Sequence, residues 1–139
     1  MNFDMKRVRV FIERASDGSY SAYMPDDDGL DYGVCGVGNS AEEAVADIKS
    51  AYEGMKENYD SKGKPFEEVD MVFSYDVSSF LAYYSDKLSL AGLEKITGVA
   101  QGQLSHYVNG RRNPSPKTRA KIETALHNFA KDLSQVHLV

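Results

Sequence analysis

Between Lys6 and Ile12 the chain places Val8, Val10 and Ile12 at every second position, with Arg7, Arg9 and Phe11 between them. A period of two is that of a strand with one face on a core. Ser16-Asp17-Gly18 then supplies a turn, and Tyr20, Ala22 and Met24 alternate again as far as Pro25. Two such runs joined by a short Asp-Gly loop predict a β-hairpin. After the polar stretch from Asp26 to Tyr32, the segment Gly33-Val34-Cys35-Gly36-Val37 reads as a third strand, its glycines marking a bulge or close packing.

At Asn39-Ser40-Ala41-Glu42-Glu43 the period changes. Ser40 can accept from an early backbone N–H, while Glu43, three residues on, can reach back to Ser40's own N–H. Ala41, Ala44, Val45, Ile48, Tyr52 and Met55 follow at steps of three and four, leaving Glu42, Asp47, Glu53 and Glu57 on an acidic outer face. Asp60-Ser61-Lys62-Gly63-Lys64-Pro65 breaks this helix. Val69, Met71, Phe73 and Tyr75 then predict a fourth strand. The order β-β-β-α-β describes one sheet layer and one helix layer.

From Ser78 onward alternation disappears. Phe80, Leu81, Tyr84 and Leu88 suggest one helix, and Ser89 caps a second with Leu90, Leu93 and Ile96 that stops at Gly98. A third runs from about Gln101 to Val108 and ends at Asn109-Gly110. Ser115-Pro116 opens a fourth, with Ile122, Leu126, Phe129 and Leu133 as its inner side. Gln135 to Val139 could add a short β tail. The expected fold class is therefore α+β: a small β-β-β-α-β domain over 1–77, then an all-α domain over 78–139.

The composition sharpens this division. The 139 residues carry a formal charge of −5, with 42% hydrophobic residues, a globular composition whose mild acidity argues against nucleic acid. The average conceals two opposite halves: 8 Lys and Arg against 17 Asp and Glu up to residue 77, a net −9, then 8 against 4, a net +4. Such asymmetry suggests that one half meets nucleic acid and the other a basic partner. No apolar run approaches the ~18 residues of a membrane span, and the first residues lack the layout of a signal peptide, so a cytoplasmic protein without a membrane partner is expected. One cysteine, Cys35, and three scattered histidines make a poor metal set. No metal or other cofactor is expected, and Cys35 reads as a small buried thiol.

The run from Leu90 to Gly110, two helices about a turn at Gly98 followed by Arg111-Arg112, resembles the phage-repressor type of helix-turn-helix. In that motif the second helix enters the major groove. With Leu104, Tyr107 and Val108 inward, Gly102, Ser105, His106 and Asn109 face outward, and Gln101 lies in the exposed first turn. Amide side chains suit base reading, while Arg111, Arg112, Lys117, Arg119 and Lys121 are placed to hold phosphates. The resemblance implies base contacts from Gln101 and His106, secondary ones from Gln103 and Ser105, and a phosphate contact at Asn109. Glu94, Thr97 and Ala100 stand where the motif has a small, an apolar and a capping residue. Ala100 and Gly102 together predict a recognition helix that is weak alone. Readers of this kind bind half-sites ~34–36 Å apart, so a homodimer or higher even oligomer on double-stranded operator DNA is expected.

Strand order, the Asp-Gly hairpin, the Pro25-acidic loop and the Asn-Ser-Ala-Glu-Glu-Ala helix start look like the HicB antitoxin domain, a partial ribonuclease-H-like fold. With a C-terminal helix-turn-helix, the resemblance spans nearly the whole chain. It implies a type II antitoxin whose acidic domain covers a small basic HicA-like toxin that cleaves mRNA, while the second domain represses the shared operon. Asp26, Asp27, Asp28 and Asp31 are the candidate toxin contacts, since carboxylates would compete with RNA phosphates. A ribonuclease-H-like fold also raises the question of paired metal-binding carboxylates, but two-metal nucleases need acids converging from several elements. Consecutive aspartates do not provide that, so no catalytic residue is expected. The alternative is a stand-alone repressor whose first domain dimerises or senses a ligand.

Overall fold

The computed structural model describes residues 5–25 and 27–139, and the chain divides into two compact units, 1–83 and 84–139. In the first, β1 (Lys6–Arg14), β2 (Tyr20–Tyr23), β3 (Cys35–Gly38) and β4 (Val69–Tyr75) form one sheet in the order β3-β2-β1-β4. The hairpin closes where Gly18 takes φ 87°, a left-handed conformation that favours glycine. The Asp17 carboxylate accepts there from both the amide (2.9 Å) and the hydroxyl (2.6 Å) of Ser19. Those bonds favour its ionised form and hold its pKa below the ordinary value.

β1 and β2, and β2 and β3, pair antiparallel, whereas β1 and β4 run parallel with Val8, Val10 and Ile12 opposite Met71, Phe73 and Tyr75. A parallel neighbour requires a long crossover. It is supplied by α1 (Ala41–Ser61). Its start matches the expected cap with one difference. Ser40 Oγ accepts from the Glu43 amide at 3.0 Å, but the Glu43 carboxylate accepts from Asn39, at 2.6 Å, rather than from Ser40.

The core lies between α1 and one sheet face: Val8, Val10, Ile12, Ala22, Ala41, Ala44, Val45 and Ile48 are buried. The β3 glycines serve close packing. A Cβ built on Gly36 would lie 2.6 Å from the Ala44 carbonyl oxygen and against the Ile48 amide. This inward placement of Gly36 turns its neighbours outward, so Cys35 is exposed rather than buried. The opposite sheet face carries Phe11, its ring tilted 35° against that of Tyr23 with centroids 5.6 Å apart, and Arg9 over the Phe11 ring.

The helix expected to open the second domain belongs to the first. α2 (Val77–Tyr83) stops before Tyr84 and packs on α1, β1 and β4, burying Val77, Ser78, Ser79 and Leu81. The boundary expected after residue 77 therefore falls after residue 83. Neither charge value changes, because residues 78–83 carry no ionisable acid or base other than Tyr83.

The second unit contains α3 (Leu90–Thr97), α4 (Gln101–Val108) and α5 (Pro116–Leu133). Leu93, Val99, Leu104, Tyr107 and Ile122 are its buried apolar residues. Residues 135–139 form no strand, so the expected β tail is absent. The expected inner side of α5 also fails beyond its middle: Ile122 is buried and Leu126 half-buried, but Phe129 and Leu133 are exposed.

Candidate nucleic-acid interface

The turn between α3 and α4 is built from side chains and one glycine. Ser89 Oγ accepts from the Gly92 amide at 3.0 Å to start α3. Gly98, at φ 74°, ends it by donating its amide to the Glu94 carbonyl at 2.8 Å. Thr97, which replaces an apolar residue of the motif, is buried with its hydroxyl fully used. It donates to the Leu93 carbonyl (2.7 Å) and accepts from the Val99 amide (3.1 Å). A buried hydroxyl with two partners adds rigidity at little desolvation cost.

α4 has Ala100 at its N-cap and no side-chain bond from that residue. The missing acceptor comes from α3. Glu94 Oε1 accepts from the Gln101 amide at 2.8 Å, and its negative charge lies at the positive end of the α4 dipole. Glu94 is exposed and does not intrude on the helix contact; its place in the motif is explained by capping.

On α4, Leu104 and Tyr107 are buried and Val108 half-buried, holding the helix against α3. Gln101, Gly102 and Gln103 are exposed, while Ser105 and His106 are half-buried. By helical geometry Gly102 lies near the middle of the outward arc, between Ser105 and His106. A Cβ on Gly102 would meet nothing within 4 Å, so packing does not demand glycine there. Gln101 and Gln103 flank the arc at the first turn, the part of a recognition helix that comes nearest base edges.

Immediately after α4, the Gly110 amide donates to the Tyr107 carbonyl at 3.1 Å and Gly110 takes φ 71°. Asn109 stays in a right-handed helical conformation, so the left-handed terminus belongs to Gly110. The Arg111 amide then donates to the His106 carbonyl at 3.0 Å. Arg111 and Arg112 are thereby held beside the end of α4, with both side chains exposed. Ser115 caps α5 by accepting from the Thr118 amide at 3.2 Å. Lys117 and Lys121, one helical turn apart, share a face, whereas Arg119 falls about 160° round the helix. The Lys121 amine lies 3.5 Å from where a Gly98 Cβ would stand, which brings this cation to the turn preceding α4. The expected phosphate set thus separates: Lys117 and Lys121 lie together and Arg119 apart.

In the first unit two of the candidate toxin contacts, Asp28 and Asp31, have structural duties. Asp28 Oδ1 accepts from the Leu30 amide at 2.9 Å, and Asp31 accepts from the Tyr59 hydroxyl at 3.3 Å while lying 3.9 Å from Lys64 Nζ. Asp27 is exposed, and Asp26 lies outside the described residues. Tyr32, stacked on Phe66, donates to the Glu67 carbonyl at 2.7 Å, and burial pushes its pKa up. A second group of carboxylates lies on α1, interleaved with lysines. Glu53, Glu57 and Asp60, one α1 turn apart, line a groove of about 500 Å³ with Lys56, Lys64, Pro65 and Phe66. Their three- and four-residue spacing is visible in the chain.

Among the described residues no group of three or more His, Cys, Asp or Glu side chains could hold a metal ion. None of the helices is long and apolar enough to cross a membrane. Residues 86–127 match a family model described as helix-turn-helix; no curated protein and no solved structure matches the chain. The matched span holds α3, α4, the arginine turn and the first two-thirds of α5. The second unit therefore carries a helix-turn-helix of the kind that binds double-stranded DNA sequence-specifically and regulates transcription.

Proposed function

We propose that the protein is an antitoxin that regulates its own operon. Its second unit reads an operator as a homodimer or higher even oligomer, and its first unit binds a small basic HicA-like toxin and covers the surface that cleaves mRNA. The observation that carries this reading is the division of charge, −9 in residues 1–83 against +4 in 84–139. Two units of opposite sign in one chain suit two partners of opposite sign. A basic RNA-cleaving protein must attract phosphates, and an acidic unit competes for the same charges. The Glu53, Glu57 and Asp60 carboxylates of α1, which share their groove with Lys56 and Lys64, add a second candidate docking surface beside Asp28 and Asp31, whose carboxylates already hold their own loop. No catalytic step is assigned to either unit.

Selection of the full chain against a random duplex library tests the DNA half. The expected outcome is an inverted repeat with half-sites about one helical turn, ~34–36 Å, apart; the absence of any consensus would refute it. The antitoxin half is tested by titrating the full chain into a HicA-type ribonuclease and following RNA cleavage. Stoichiometric inhibition that weakens with added salt is expected. A chain that finds its operator but leaves the ribonuclease active would be a stand-alone repressor.

A further inference from the structure

α5 outruns the domain it belongs to. Ile122 is buried against that domain, and the helix-turn-helix match ends at residue 127. Beyond it Phe129, Leu133, Val136 and Leu138 are 38, 58, 57 and 94% exposed. Among the described residues, the large exposed apolar side chains are these four, Val37 and Val139. Soluble proteins seldom gather such residues in one place without a use for them.

The pattern specifies the kind of surface. Ile122, Leu126, Phe129 and Leu133 follow at steps of four, three and four, and Val136 stands three further on. On the helix the first four fall within about 60° of arc. Ala125 and Ala130 flank this stripe, while Glu123, His127, Asn128, Lys131 and Asp132 lie outside it. A four-three repeat of apolar residues is the seam along which two helices pack. Within the unit the seam is used at Ile122 and partly at Leu126, and continues uncovered.

We infer that the C-terminal half of α5 and the residues after it form a twofold interface with the same segment of a second copy of this chain. The inference rests on the DNA-binding reading, for which it names the contact between the two copies. Self-association is favoured over a foreign partner for two reasons. A seam presented identically by both copies is its own complement under a twofold axis. The charge distribution also agrees: the cations Lys117, Arg119 and Lys121 lie near the other end of α5, so antiparallel overlap at 126–133 keeps the two basic clusters apart. With a 1.5 Å rise per residue and the axis near residue 130, the clusters lie about 33 Å apart along the helix pair.

Sedimentation of the full chain tests this, comparing the unaltered protein with Phe129→Glu, Leu133→Glu and Lys131→Glu, the last on the opposite side of α5. Helix content by circular dichroism controls for folding, and Leu133, at the more exposed position, is the variant least able to disturb the unit. The unaltered chain is expected to dimerise. Each seam variant should raise the concentration for half-dimerisation about tenfold or more, and Lys131→Glu should leave it unchanged. A dimer indifferent to both seam variants would overturn the interface while leaving the DNA reading standing. A monomer at high micromolar concentration would overturn it too; if Leu133→Glu then also lowered the melting temperature, the seam would be covered within its own chain. Selection of an inverted repeat in the duplex library remains the independent check on DNA reading.

Discussion

Glu94 holds the start of the recognition helix from another helix, and its removal has a calculable effect. The amides of Gln101, Gly102 and Gln103 precede the first intrahelical bond, which Leu104 makes to the Ala100 carbonyl at 3.0 Å. Ala100 offers no side-chain acceptor, so the 2.8 Å bond from the Gln101 amide to Glu94 Oε1 is the side-chain cap of α4. Losing an N-cap costs about 0.5–2 kcal/mol, and losing a negative charge from a helix N-terminus about 0.3–1 kcal/mol at an exposed site. Because Glu94 is exposed and the two effects overlap, Glu94→Ala should cost about 1 kcal/mol, borne by α4. Amide hydrogen exchange read by NMR should show the bonded amides at the start of α4, Gln101 and Leu104, exchanging about fivefold faster. Glu94→Gln keeps an acceptor without the charge and should fall between. Adding Ala100→Ser to Glu94→Ala should restore protection, since a serine at the N-cap can accept from an early α4 amide. Unchanged protection in Glu94→Ala, or a loss spread evenly over α3 and α5, would refute capping as the role of this residue.

Gly36→Ala should destabilise the first unit by about 1–3 kcal/mol, because its Cβ would press on the α1 backbone at Ala44 and Ile48; chemical denaturation followed by circular dichroism measures it. Ser79 is fully buried and its hydroxyl has no partner among the described residues, so Ser79→Ala should leave that unit as stable as before or more stable by up to about 1 kcal/mol, a change read in the same denaturation curves. Arg111→Ala should weaken binding to all duplexes alike and reduce the slope of log K against log salt by about 1. Gln101→Ala should instead cost about 1–3 kcal/mol at one base position. Binding isotherms on matched and mismatched duplexes at several salt concentrations separate the two, and a base-selective loss in Arg111→Ala would show the assignment to be wrong.

Much of the fold can be read along the chain because its signals are local. Alternation marks β1, β2 and β4; Ser40, Ser89 and Ser115 each accept from the amide three residues on, as their places before apolar runs imply. Gln101–Val108 is bounded by signals on both sides, Gly98 before it and Gly110 after it. The helix at Val77–Tyr83 is equally local, but its owner is not. Leu81 could have faced either unit, and it packs on the first because α2 follows directly from β4, whose Tyr75 lies against Phe80 and Tyr83.

The candidate site divides along the same line. Which α4 residues face outward follows from helical geometry, and Gln101, Gln103, Ser105 and His106 lie on or beside the polar arc as the spacing implies. Glu94 was legible as a departure from the motif but not as a cap, since its carboxylate acts seven residues away across a turn. Asp28 and Asp31 look alike in a run of acids, yet they accept from Leu30 and Tyr59 and are occupied by their own loop.

Chain order suffices for the four strands, α1, α3 to α5 and the three serine caps, because each depends on residues within a few positions of one another, and composition suffices for the opposite charges of the two halves. Three matters needed the folded chain: the parallel pairing of β4 with β1, the outward turn of Cys35, and the point on α5 where its apolar stripe leaves the core. These depend on how many neighbours the rest of the molecule brings to a surface. Periodicity identifies the α5 stripe; only the folded unit shows that it covers Ile122, half covers Leu126, and leaves Phe129 and Leu133 to solvent.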